Sequence, residues 1–182
     1  RQLGMTISFD CNYRSMLWSF DEARDIISRY LPYVDVLIGI EPLHLQDENG
    51  HDLKDGMSMQ PDYEEQDRIF QAMADRYHFK AIARHVRYTH SSSENSLKAY
   101  LYYNGQTYES KLFRFQILDR VGGGDAFSSG LIYALMNNYK PRDVVNFAVA
   151  SSVMKHSIHG DTNITDVESI QRLMNQSFDV QR

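Results

Sequence analysis

The run Val34-Asp-Val-Leu-Ile-Gly-Ile40 is mostly apolar and of strand length, and it follows a helical-period segment that itself follows a shorter β-rich run. That order constrains the chain most, because near-continuous apolar strands joined through helices belong to buried parallel sheets. Met5–Asp10 reads as the first strand and 15–31 as a helix stopped by Pro32, so the opening unit is β-α-β. Residues 46–60 contain Gly50 and Gly56 and have no period, which predicts a loop or a locally ordered excursion. A helix over 61–78 follows, with Ile69, Phe70, Met73 and Tyr77 as its buried stripe, then a third strand over 80–86. Leu97–Tyr103 and 107–113 flank Asn104-Gly105, a pair suited to the two positive φ angles of a type I′ turn, so the sheet changes from parallel to antiparallel. Helices are expected over about 126–138, 142–157 and 166–176, with turns at Lys140-Pro141 and Gly160-Asp161. The alternation predicts an open α/β sheet, and no repeat or low-complexity segment interrupts it.

The chain's 182 residues, 42% hydrophobic and 24% charged, are enough for one ordinary folded domain with a sizeable core. No apolar run approaches the roughly 20 residues of a membrane span, and the N-terminus lacks a signal-like stretch, so no membrane partner is expected. A net charge of -5 argues against nucleic acid and for small molecules or proteins as partners. The single cysteine, Cys11, has no internal disulfide partner and fits a reducing cytoplasm as a small buried residue. The histidines show no HxxxH spacing, which gives no reason to expect zinc. Tyr100, Tyr102, Tyr103 and Tyr108 along the hairpin read as sheet packing, and Asp47–Asp52 as a solvated loop without calcium-loop spacing. The chain opens at Arg1 without Met and enters a strand within a few residues, the start expected of a fragment.

Gly122-Gly123-Gly124-Asp125 lies between an extended segment and a helix. Backbone N–H groups there face the space before a helix N-terminus, where the macrodipole favours a phosphate. A carboxylate beside such a site can take the proton of an attacking hydroxyl. The plainer alternative, a tight turn with Asp125 as a helix cap, stays open on these residues alone. No GxGxxG follows the first strand, so a dinucleotide-dependent oxidoreductase has no support.

The segment Asp119-Arg-Val-Gly-Gly-Gly-Asp-Ala-Phe-Ser-Ser-Gly130 resembles the C-terminal signature of the ribokinase-like (PfkB) carbohydrate kinases. Ser8-Phe-Asp-Cys-Asn-Tyr-Arg14, Arg87–Ser93 and Lys155-His-Ser-Ile-His-Gly-Asp-Thr-Asn163 resemble its 2-keto-3-deoxygluconate kinase branch, in order along about 5–182. The resemblance implies a ribokinase-like three-layer α/β/α sandwich with a mainly parallel central sheet. The whole of 1–182 would be the C-terminal portion of a single kinase domain whose N-terminal part and lid are absent, and therefore inactive alone. By resemblance Asp125 is the catalytic base, Gly122, Gly123 and Gly124 form the anion hole for the ATP γ-phosphoryl, and Arg14 faces the substrate carboxylate. Asp161 would lie near the sugar hydroxyls, with Asp119 and Asn12 as weaker candidates. ATP and Mg²⁺ are implied as cofactors, together with a monovalent cation near Asp119. A sugar acid would be the small-molecule partner, and a second copy would pair through the lid.

Other readings survive at this level. Without the resemblance, Asp10 and Asn12 simply end a strand and Arg14 is a surface arginine. The family's Asn-x-x-Glu pattern is replaced by Ile40 and Leu43, with Glu41 displaced, so the metal ligands are unassigned. His85–Glu94 stands where a Thr-x-Gly-x-x-Gly nucleotide segment is usual. The alternatives are a kinase for another sugar, or a catalytically impaired nucleotide-binding relative.

Overall fold

A computed structural model describes residues 3–176; the remaining positions, including the end of the stretch covered by the resemblance, lie outside the described residues. The chain divides into two compact units, 1–86 with 100–109, and 87–99 with 110–182.

In the first unit β1 (Ser8–Asp10), β2 (Val36–Ile38) and β3 (Ala81–Thr89, to Val86 in this unit) pair in parallel, Ser8 opposite Val36 and Val36 opposite Ala81. All three residues of β2 are buried, as a central parallel strand requires. The end of β4 (Glu94–Tyr103) pairs antiparallel with β5 (Gln106–Glu109), and Asn104 and Gly105 have φ of 51° and 81°, the expected type I′ geometry. Helix α1 covers only Phe20–Ser28, because the Ser19 hydroxyl accepts the Glu22 N–H and starts it there. Pro32 does not end that helix; it opens a 3-10 turn over Leu31–Tyr33. Helix α2 (Tyr63–Tyr77) is capped by Asp62, which accepts from Glu65, and buries Ile69, Phe70 and Met73. Tyr77 is only half-buried. Tyr100 is fully buried and donates to the Pro61 carbonyl, so it packs the sheet as expected.

The 46–60 excursion is locally ordered, while Asp47–Asp52 within it stays largely exposed. Gln46 bridges Asp52, and the buried Lys54 donates to both Asp52 carboxylate oxygens and to the Leu43 carbonyl.

In the second unit Glu94–Leu97 of β4 pairs antiparallel with β6 (Phe113–Gln116). The expected single return strand over 107–113 is therefore two strands. Ser110 separates them: its hydroxyl accepts the Ala99 N–H and donates to the Lys111 carbonyl, replacing a ladder bond with side-chain bonds. Helices α3 (Gly123–Met136), α4 (Pro141–Lys155) and α5 (Val167–Asn175) complete the unit. Helix α4 is buried nearly all round, whereas α5 buries only Ile170 and Met174. The backbones of α3 and α4 approach closely where a Cβ on Gly130 would stand 2.8 Å from Ser151 Cβ and 3.3 Å from Ala148 Cα. The sheet is thus mixed: β1, β2 and β3 pair in parallel, and β4 pairs antiparallel with β5 and β6.

Candidate phosphate-binding and active site

In the second unit the glycine run enters α3 with Gly122 as N-cap, at φ 77° and ψ 0°, and among the described residues no side chain caps this helix. The first N–H groups of the helix are thereby left for a ligand. Each glycine has its own reason. Gly122 needs its left-handed backbone, and a Cβ there would collide with the Asp161 carbonyl. A Cβ on Gly123 would stand 2.5 Å from Cε1 of His156. A Cβ on Gly124 would meet nothing within 4 Å, so Gly124 borders open space. Asp125 follows in the first turn, exposed.

Two groups hold the loop from behind. Asp119 accepts the Val121 N–H with one carboxylate oxygen at 2.9 Å and the Gly160 N–H with the other at 2.8 Å, tying the loop to the Gly160-Asp161 turn. Those two bonds, with the charges of Lys155 and His159, hold its carboxyl below the ordinary aspartate range. His156 is fully buried; its Nδ1 donates to the Ser152 carbonyl at 2.7 Å, and its ring packs on Phe115 with centroids 4.8 Å apart. Burial pushes the imidazole pKa down against that hydrogen bond, and the charges of Arg87, Lys155 and Arg120 push it further down. The Ser152 hydroxyl donates to the Gly123 carbonyl at 2.8 Å.

Asp119, the three glycines, Asp125 and Asp161 therefore come together, with Asp161 Oδ1 3.0 Å from the Cβ position of Gly122. The segment 87–93 is also brought to this unit's loop region: Arg120 donates to the Ser92 carbonyl at 2.9 Å. Lys155, fully buried beside Gly122, and His156 have no functional mark of their own in the sequence. The only signal was their place in the motif stretch 155–163.

In the first unit, the Asp10-Cys-Asn-Tyr-Arg14 stretch leaves the C-terminal end of a parallel strand, the end at which open α/β sheets bind ligands. Asp10 accepts the Asn12 N–H at 3.0 Å, Asn12 turns at φ 35°, and its side-chain oxygen accepts from Arg14 Nε at 3.1 Å. Asn12 thus orients an exposed guanidinium. Cys11 is buried, and burial, with Asp10 and Glu41 nearby, pushes its thiol up to about 12. It is inert packing, as expected.

Ile40 and Leu43 are buried in the core and present no ligand atoms. Glu41 is half-buried, 3.7 Å from the Lys54 ammonium; burial pushes its carboxyl up and Lys54 opposes this. Among the described residues no three His, Cys, Asp or Glu side chains converge to hold a metal ion. None of the described helices is long and apolar enough to cross a membrane.

A mixed α/β sheet and an uncapped glycine-rich helix start define an α/β protein built around an anion-ready turn. Residues 1–167 match the pfkB family carbohydrate kinases, and the chain belongs to that family. It is 24% identical to 2-dehydro-3-deoxygalactonokinase of Haloferax volcanii over 95% of this chain and 48% of that protein. The crystal structure of 2-dehydro-3-deoxygluconokinase from Thermotoga maritima superposes with a TM-score of 0.84 at 30% identity, covering 96% of this chain and 51% of its own. A PfkB family carbohydrate kinase from Listeria grayi gives 0.79 at 29% identity, over 96% and 52%. The chain spans about half the length of these relatives.

Proposed function

We propose that this chain is part of one kinase domain of an ATP-dependent sugar-acid kinase that phosphorylates 2-keto-3-deoxygluconate at its terminal hydroxyl. The observation that carries this reading is Asp125, exposed in the first turn of α3 directly after a glycine that borders open space. In the reaction the terminal hydroxyl gives its proton to the Asp125 carboxylate and its oxygen attacks the γ-phosphorus. The bond to the β–γ bridging oxygen breaks, and ADP leaves. The free N–H groups of the glycine run and the helix dipole stabilise charge on the γ-phosphoryl oxygens. Arg14 suits the substrate's C1 carboxylate, since a guanidinium can bind it through two parallel hydrogen bonds, and Asp161 takes a sugar hydroxyl. The keto-deoxy acid is favoured by the names of the Thermotoga and Haloferax relatives, which differ between the gluco and galacto forms. A cytoplasmic setting and pairing with a second copy through a lid belong to the same reading of the whole protein.

The test is sugar-dependent ADP production by the full-length gene product, with both keto-deoxy acids beside fructose, ribose and gluconate. Turnover should prefer a keto-deoxy acid, and Asp125→Asn should lower it about 10²–10⁴-fold while ATP binding persists. Preference for another acceptor would overturn the substrate and keep the kinase. The buried Ile40 and Leu43 favour the second reading, a nucleotide-binding relative impaired in catalysis. ATP binding with no turnover on any acceptor would establish it.

A further inference from the structure

Lys155 ends α4 and is fully buried, and its ammonium has one acceptor among the described residues, the Ile158 carbonyl at 3.0 Å. Its Cε lies 3.2 Å from the Cβ position of Gly122, and its charge reaches Asp119. A lysine whose only task was to meet a carbonyl just past its helix would do so from the surface with its head in water. Burying an ammonium is unfavourable unless negative charge lies in reach, and here the reach is the glycine loop with Asp119 and Asp161 beside it.

We propose that Lys155 is the built-in cation of the glycine loop, supplying from within the chain the single positive charge that the resemblance assigns to a bound monovalent metal ion. The inference deepens the kinase reading of this site and rests on it. The loop's surroundings fit an ammonium and do not fit a second cation. Both carboxylate oxygens of Asp119 already accept backbone N–H groups, and a metal ion beside them would face a buried charge of its own sign that salt screens poorly. The ammonium stands at the N-cap end of α3, so its field and the helix dipole have the same sign toward an incoming phosphate. Lys155 is accordingly a positioning residue, acting through the loop.

The test compares KCl with tetramethylammonium chloride at equal ionic strength, using thermal unfolding and calorimetric titration with MgATP. The parent should show the same Tm and the same ATP affinity in both salts. Lys155→Met should bind ATP about tenfold more weakly in tetramethylammonium chloride and recover in KCl, because K⁺ then enters the place the ammonium left. A parent whose Tm or ATP affinity rises in KCl would overturn the inference. So would a Lys155→Met variant with undiminished affinity, or with a loss that KCl leaves untouched. If Lys155→Met does not fold, Lys155→Arg, which keeps the charge, must be as indifferent to K⁺ as the parent, and K⁺ dependence in either overturns the inference. A parent that binds no ATP overturns the kinase reading alone. The Tm comparison, flat for the parent and raised by KCl in Lys155→Met, then decides on Lys155.

Discussion

Gly122 and Gly124 stand two positions apart and should respond in opposite ways to the same added methyl group. At Gly122 an alanine must adopt φ near 77° and meet the Asp161 carbonyl. The left-handed backbone alone costs about 1–2 kcal/mol, so Gly122→Ala should lower Tm clearly. At Gly124 the methyl meets nothing and α3 gains a better helix former, by up to about 1 kcal/mol. Gly124→Ala should unfold no earlier than the parent yet bind ATP more weakly, because the methyl occupies the space a phosphate approaches; unchanged affinity would remove Gly124 from the site. From sequence the three glycines look equivalent. What separates them is Asp161 and His156, more than thirty positions downstream, and local pattern carries no information about which distant backbone lies behind a turn. The burial of Lys155 is illegible for the same reason: nothing in its neighbours announces that a lysine at a helix end is buried.

At the scale of elements, the contact between α3 and α4 depends on the missing side chain of Gly130. Gly130→Val would push a branched side chain into Ser151 and the α4 backbone, and overpacking of this kind costs about 1–3 kcal/mol. Chemical denaturation should show a lower midpoint; an unchanged midpoint would mean that the helices can part without loss. The order and type of the elements could be read from the sequence, because apolar period is a property of the segment itself. Their ends were harder. Ser19 shortens α1 by capping it, and Ser110 breaks the return strand by lending its hydroxyl to Ala99 and Lys111. Both are single polar residues whose bonds override a continuous pattern. The order of the 46–60 segment has a related origin, since it comes from Lys54 turning inward rather than from any period.

At the scale of the molecule, His156 links stability to pH. Its folded pKa lies below the ordinary value of 6.5. Its contribution is therefore complete above pH 6.5 and is lost as pH falls toward the folded pKa, because the unfolded chain takes up the proton first. Asp119, also lowered in the fold, adds a second loss below about pH 4. Tm measured from pH 8 downward should begin to fall near 6.5. His156→Asn, which keeps a donor for the Ser152 carbonyl, should flatten that first descent and leave the second; a parent curve flat through the first region would exclude a neutral buried imidazole. At this scale the family was evident from several motif stretches in the right order. The contribution of a buried imidazole beneath the loop was not, because burial is a property of the folded chain.

The seating of Gly123 on the His156 ring, with Asp119 fastened across to Gly160, means that the turn has its shape before any ligand arrives. A phosphate entering it meets a finished mould, so little ordering is required and recognition works by fit rather than by closure. Such a mould cannot shrink around a smaller anion or spread for a bulkier one. On the kinase reading proposed above, discrimination among anions belongs to this turn and discrimination among sugars to groups outside it.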